Sequence, residues 1–330
     1  MVRHRCPIVF LVLLLTTACG RPPGKATSRP RLTAPPARPQ LMFVSVASDD
    51  TFHKVALASF TAPSAGAFIT TLSCLRVYFG GDRGICLTST NEQTKTAWWA
   101  DVFDDRFQPV KRLPLTGEPS RVRVSPDGRL AAATVFESGH SYAQHGFSTR
   151  TTLFDLMAGT ELGDLEQFRT TRDGQDFRAV DFNFWGVTFA RDSDTFFATL
   201  DTAGVSYLVK GSAQRRTLQV IGPNVECPSI SPDNSRIAFK KRVGARSLGW
   251  WQIAVLRLDT MAETIVNAET RSVDDQVEWL DDERVIYHLT NGSTAADLWA
   301  VRVDNSSPPE LLLTFAYSPA VLRGPTTKTP

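Results

Sequence analysis

Val122-Arg123-Val124-Ser125-Pro126-Asp127-Gly128-Arg129-Leu130-Ala131-Ala132-Ala133 and Pro228-Ser229-Ile230-Ser231-Pro232-Asp233-Asn234-Ser235-Arg236-Ile237-Ala238-Phe239 are two copies of one pattern. In each, a β-rich run enters a Ser-Pro-Asp-Gly/Asn turn and a second β-rich run leaves it. Pro presets φ, the Asp carboxylate bonds to the backbone ahead of it, and Gly or Asn accepts a positive φ, so the pattern reads as a hairpin. Weaker copies run over Val187–Phe197 and Val277–Tyr287, and a degenerate one over Leu75–Leu87. With Phe79, Ser125, Ala190, Ser231 and Leu280 taken as equivalent, the steps are 46, 65, 41 and 49 residues. Such spacing suits propeller blades of four strands, at roughly 40 to 50 residues each.

More aromatic third strands follow the hairpins, at Trp98–Phe103, Thr151–Leu156, Gln252–Leu258 and Asp297–Val303. Thr264–Val266 and Glu310–Leu313 read as fourth strands. Ser318–Leu322 is a first strand with no hairpin after it, whereas Leu41–Val46 and Phe52–Leu57 are second and third strands with no first. Joined, the chain ends make a sixth blade and leave no exposed sheet edge. The expectation is an all-β, six-bladed β-propeller over residues 41–324, closed between N- and C-terminal strands, with 325–330 a polar tail.

These repeats resemble those of the TolB-like, WD-type β-propeller family, whose mark is a Ser-Pro-Asp-Gly type turn in each blade. The copies at Ser125 and Ser231 carry the resemblance, which covers roughly residues 41–324. With the leader described next, the chain is similar to actinobacterial TolB-like lipoproteins. The resemblance implies an envelope location and protein interaction, not an activity. No α/β domain of the kind found in the periplasmic members is expected before this propeller.

Met1–Arg5 is cationic, Pro7–Leu15 apolar, and Thr16-Thr17-Ala18-Cys19 small: the order of a secretory signal. The apolar run is shorter than the ~20 residues of a spanning helix. Small residues ending in Cys resemble a bacterial lipobox, with Thr16 where Leu is usual. Residues 1–18 are therefore expected to be a lipoprotein signal peptide and Cys19 the lipidated residue. Residues 19–40 hold the Pro/Arg-rich stretches Arg21–Gly24, Arg29–Arg31 and Ala34–Pro39 and are expected to be a disordered, extended tether. The expected location is the extracytoplasmic face of a bacterial cell membrane, or the exterior if Cys19 is unmodified.

The 330 residues are 42% apolar and 21% charged, with a formal net charge of +2. Seven basic residues and no acid lie in positions 1–40, leaving 29 basic against 34 acidic residues in the body. That balance argues against a nucleic-acid surface, which needs clustered Lys and Arg. Cys74 and Cys86 are expected on adjacent strands and form the expected disulfide; Cys227 is expected to be free and buried.

In a propeller, the fourth-to-first and second-to-third connections open on one face, where binding loops concentrate. On that face the candidates are His140, Tyr142 and His145 in Ser138–Ser148, Asp181, Asn183 and Trp185 after the insertion near Arg169, Asn224 and Glu226, and Asp274 and Asp275. The two histidines lack the further ligands zinc needs, and Gly139–Ala143 departs from the nucleophile elbow at its last residue. Neither metal nor cofactor is expected. Lys240-Lys241-Arg242, at the end of a second strand, has two readings, a partner for the acids of that face or a solvated edge, and as an isolated basic run it reads as the edge. The function that follows is a monomeric, non-enzymatic scaffold for an envelope protein or peptide. The alternatives are an envelope lyase or hydrolase using His140, His145, Asp181, Glu226 and Asp274, and a glycan-binding protein using exposed tryptophans.

Overall fold

The computed structural model describes residues 29–92, 95–137, 148–244, 249–291 and 295–324. The chain folds as a six-bladed β-propeller. Blade 1 closes the ring: Ala316–Leu322 is its innermost strand, followed outward by Gln40–Ser45, Lys54–Ser59 and Ala67–Ser73. Blades 2 and 3 start at Arg76–Gly80 and Glu118–Val124. Blades 4, 5 and 6 start at Asn183–Phe189, Glu226–Ile230 and Glu278–Trp279. Each of these is the innermost strand of an antiparallel sheet whose next three strands follow in order.

The repeated turns explain the repeated sequence. Ser125 Oγ donates to Asp127 Oδ1 at 2.6 Å and accepts from the Leu130 N–H at 2.9 Å. The pair Ser231 and Asp233 repeats both bonds, the second to the Arg236 N–H at 2.9 Å. Each turn also docks on the next around one face. The Asp127 N–H donates to Ser193 Oγ at 3.1 Å, the Arg191 N–H to Asn234 Oδ1 at 3.2 Å, and Arg236 Nη2 to the Asp282 carbonyl at 2.6 Å. A short polar turn therefore closes a hairpin and registers one blade against its neighbour.

Apolar residues on the blade faces fill the wedges between blades, as in the packing of Ile85, Val122 and Phe154 between blades 2 and 3. Phe197, Ile237 and Phe239 do the same between blades 4 and 5, and Phe43, Ile286 and Leu298 between blades 6 and 1. Alternation along the innermost strands sends one residue set into these wedges and the other into the channel.

The expectations need three corrections. The insertion at Arg169–Asp181 is not a simple loop: Arg169–Arg172 runs parallel to Thr217–Pro223 on the outer edge of blade 4, and Gln175–Asp176 pairs back on it. That extra hairpin covers an edge whose backbone groups would otherwise be unpaired. Residues 29–39, expected as part of a disordered tether, lie against the ring. The Leu32 N–H donates to the Ala67 carbonyl at 2.9 Å, Arg29 Nη2 donates to the Thr314 carbonyl at 2.6 Å, and the Arg29 and Arg38 guanidiniums stack over Phe43 and Phe79. Guanidinium–aromatic contact gives this proline-rich segment a holding point without regular structure. Finally, Cys74 lies in the connection from blade 1 to blade 2 rather than on a strand. Its sulfur is bonded to that of Cys86, on the second strand of blade 2. Cys227 is free and buried.

Candidate functional site

The face carrying the fourth-to-first and second-to-third connections surrounds one mouth of the central channel. Cys19, His140, Tyr142 and His145 lie outside the described residues. The other expected residues reach this face, and each is tied into the ring. Asp181 accepts from Thr202 Oγ1 at 2.6 Å and from the Ala203 N–H at 2.7 Å, so it braces the second-to-third turn of blade 4. The Thr202 hydroxyl bond, with that backbone bond, holds its carboxyl below the usual range. Asn183 Oδ1 accepts from the Thr149 N–H at 2.9 Å, joining blade 4 to blade 3. Trp185 is buried. Asn224 takes φ 62°, which its side chain tolerates, and its N–H donates to the Ser206 carbonyl at 2.6 Å.

Glu226 is buried and accepts from Arg242 Nη2 at 2.7 Å, with Lys240 Nζ 4.0 Å from its other oxygen. Lys240 is buried too, bonded to Asp274 and seated over the Trp251 ring at 4.6 Å. Lys240-Lys241-Arg242 is therefore not a solvated edge: Lys240 and Arg242 are consumed by this network, and Lys241 pairs with Glu263. The reason is alternation next to a crowded mouth, which turns Lys240 and Arg242 toward the acids of neighbouring connections. Asp275 is buried, and His288 Nδ1 lies 2.6 Å from its Oδ2. Burial alone would raise the Asp275 carboxyl, but His288, Arg121 and Arg76 together hold it far below the usual range. Two clusters result, Glu226 and Asp274 about Lys240 and Asp275 with His288, and no group of three metal-ligating side chains occurs among the described residues.

Deeper in the channel lies a polar layer that the sequence reading missed. Arg123, from blade 3, donates to the Val277 carbonyl at 3.1 Å and lies 3.6 Å from Glu278 of blade 6, on the opposite side of the ring. Its guanidinium stacks over Tyr78, whose hydroxyl donates to Glu278 Oε2 at 2.9 Å. Gln276 Nε2 donates to the Val187 and Pro228 carbonyls at 2.9 and 2.8 Å, tying blade 6 to blades 4 and 5. This layer floors the mouth. One step above it stand Arg76, Arg121 and Tyr317. The signal for these residues is the alternation Arg76-Val77-Tyr78 and Arg121-Val122-Arg123, which in an innermost strand directs every second side chain at the channel.

The described aromatics at the mouth differ in exposure. Phe52, Phe136 and Trp250 are 49%, 41% and 44% exposed, and all three lie at this face. Phe52 and Trp250 stand in second-to-third connections, and Phe136 near the end of a second strand. Among the described tryptophans only Trp250 is exposed, so the two rings on one face that a glycan platform needs are not present there.

No protein-family model matches the chain, and no curated protein matches it in sequence. Among solved structures it is similar to TolB from Acinetobacter baumannii, with a TM-score of 0.59 at 14% identity over 86% of this chain and 66% of that one. The fold is that of TolB-like and related six-bladed propellers. A chain of a nidogen/laminin complex is similar at a TM-score of 0.56 and 10% identity, over 86% of this chain and 97% of that one. A Mycobacterium tuberculosis puromycin-hydrolyzing peptidase is similar at 0.51 and 12%, over 85% of this chain and 44% of the peptidase. This chain thus spans 66% of the TolB chain and less than half of the peptidase, and at these identities the likeness shows the fold alone.

Proposed function

We propose that the chain is exported, lipidated at Cys19 and held on the outer side of a bacterial cytoplasmic membrane, where its propeller binds a protein or peptide partner through the channel-mouth face without catalysing a reaction. The observation that carries this reading is that Phe52, Phe136 and Trp250, the exposed aromatics of the described residues, all stand at that face, on blades 1, 3 and 5. Exposed aromatic side chains are the residues in which protein interfaces are enriched. The same face has its acids and amides bonded into turns and neighbouring blades, which leaves them to fix loop positions rather than to move protons. The rigid ring holds the loops in place before a partner arrives, lowering the ordering cost of binding. A similar propeller in a nidogen/laminin complex accords with this use.

The test places a photo-crosslinking residue at Phe52, Trp250 or Val110 of the full chain in its host. Val110 is also exposed but lies on the outer strand of blade 2. One common partner from Phe52 and Trp250, absent from Val110, is the expected result. Equal capture at Val110, or none at the face, overturns the reading. For the anchor, Cys19→Ala is expected to release the chain from the membrane fraction, and its retention there would refute lipid attachment.

A further inference from the structure

Arg76 and Arg121 stand on the innermost strands of adjacent blades. Their neighbours Val77 and Val122 are buried in the wedges between blades, so alternation turns both arginines into the channel. Arg76 lies over the Tyr317 ring at 5.3 Å, and among the described residues no acceptor takes any of its N–H groups. Arg121 Nη1 donates to the Ser120 carbonyl at 3.0 Å and lies 3.5 Å from the Ser120 hydroxyl, and the guanidinium also meets the Cys227 sulfur, while its Nε is buried with no partner. Both residues are half-buried, keeping part of their surface open to the channel. A guanidinium offers five donors, and leaving them unanswered in a low-dielectric site is costly.

The charges around the pair do not cancel it. Arg123, one step deeper, is matched by Glu278. Asp275 attracts both Arg76 and Arg121, but it is already held by His288. Arg76 and Arg121 bring two positive charges to the mouth against the single negative charge of Asp275, and the floor at Arg123 and Tyr78 stops a ligand from passing deeper.

We propose that Arg76 and Arg121 form an oxyanion site in the channel mouth that takes a single carboxylate, supplied by a chain terminus or an acidic side chain of a bound peptide. A planar guanidinium pairs with a carboxylate through parallel N–H···O bonds, and one negative charge balances the site where a phosphate dianion would overshoot. The peptide source rests on the binding role proposed for this face; the site itself does not.

The full chain is titrated with sodium acetate, sodium phosphate and two short glycine peptides, one with a free terminal carboxylate and one amidated with a central Asp. Thermal midpoints are read against sodium chloride at matched ionic strength. A saturable rise with the carboxylates is expected, weakened about tenfold in apparent affinity in Arg76→Gln, which has no hydrogen bond within the described fold to lose. Arg172→Gln, at the outer edge of blade 4, is expected to respond as the wild type does. The peptide that responds more strongly identifies the terminal or side-chain source, and either result supports the site. No response beyond chloride, an equal response in Arg76→Gln, or a stronger response to phosphate than to any carboxylate overturns it. Because the probes act without the partner, failure here leaves the cross-linking result at Phe52 and Trp250 untouched, and the two readings fall separately.

Discussion

Arg123 and Glu278 meet across the channel from opposite blades, with Nη2 and Oε2 3.6 Å apart and both side chains buried. The contact fastens the ring across its diameter, where neighbouring-blade packing cannot. Burial raises the Glu278 carboxyl above its ordinary 4.5, with Arg123, Arg323 and the Tyr78 hydroxyl acting against that rise. A raised carboxyl contributes stability that is fully present below about pH 4.5 and lost as the pH rises through the folded value. Arg123→Met removes the main counter-charge and lifts that value further. The variant is expected to lose about 3 kcal/mol at pH 7.5, and the deficit should shrink as the pH falls toward 4.5 and Glu278 takes a proton. Urea unfolding at several pH values checks this; a deficit independent of pH would mean that the lost bonds to the Val277 and Val122 carbonyls, not the charge, dominate.

The bridge between Cys74 and Cys86 spans 12 residues of chain and pins the connection from blade 1 to blade 2. It therefore holds the seam beside the blade that joins the two chain ends. Closing a loop of this size restricts the unfolded chain by about 3 kcal/mol. The double variant Cys74→Ser, Cys86→Ser is expected to unfold with a stability lower by that amount. Reductant should lower the thermal midpoint of the wild type and leave the double variant unmoved, and an effect of equal size on both would assign the loss to something else.

The six-bladed ring is legible in the sequence because the Ser-Pro-Asp turn is a local device: Ser125 and Asp127 complete their bonds within six residues, the Ser231 turn repeats them, and Asp192 and Asp281 keep the carboxylate–backbone bond in weaker copies. Closure by Ala316–Leu322 is legible for the same reason, since an unpaired first strand at one end answers an incomplete blade at the other. The hairpin at Arg169–Asp176 is not legible, because what makes Arg169–Arg172 a strand is the free edge of Thr217–Pro223 rather than its own pattern. The acids of the mouth are visible as loop residues. Lys240 and Arg242 are visible as a basic run that could meet those acids, but their burial and the pairing of His288 with Asp275 are not, since these depend on how the ring packs the connections together. Arg76 and Arg121 fall between these cases: their alternation is in the sequence, but it points to a channel only once their strands are known to be innermost.

The Asp233 carboxyl shows how much the turn motif depends on charge. Burial acts to raise it, but hydrogen bonds from the Ser231 and Ser235 hydroxyls and the Ser235 N–H bring it down to about 2. A lowered carboxyl contributes stability that is present above its ordinary 3.8 and lost as the pH falls toward the folded value. Asp233→Asn is expected to be less stable than the wild type at pH 6, by under about 1 kcal/mol given the solvent screening of a part-exposed group. The two proteins should converge between pH 3.8 and about 2, as denaturant unfolding across that range would show. A constant difference down to pH 2 would place the effect in shape rather than ionisation.

Gly186 sits on the first strand of blade 4 with φ 66°, and a Cβ added there would stand 2.7 Å from the Cys227 Cα of blade 5. Cys227 itself takes φ 50°, so two innermost strands bulge where they meet beside the channel mouth. The register of Asn183–Phe189 against Thr195–Thr202 shifts at that bulge, which separates Trp185 from Thr188 in the pairing. Gly174 offers a matched comparison: its φ is 76°, yet nothing lies within 4 Å of its added Cβ. Gly174→Ala should cost only the left-handed backbone penalty of about 1 kcal/mol. Gly186→Ala adds a backbone contact that can be relieved only by moving blade 4 against blade 5, so its cost is expected to reach about 2 kcal/mol or more. Urea midpoints of the two variants measure the difference directly, and equal losses would show that the approach of the two strands is compliant rather than fixed by the ring.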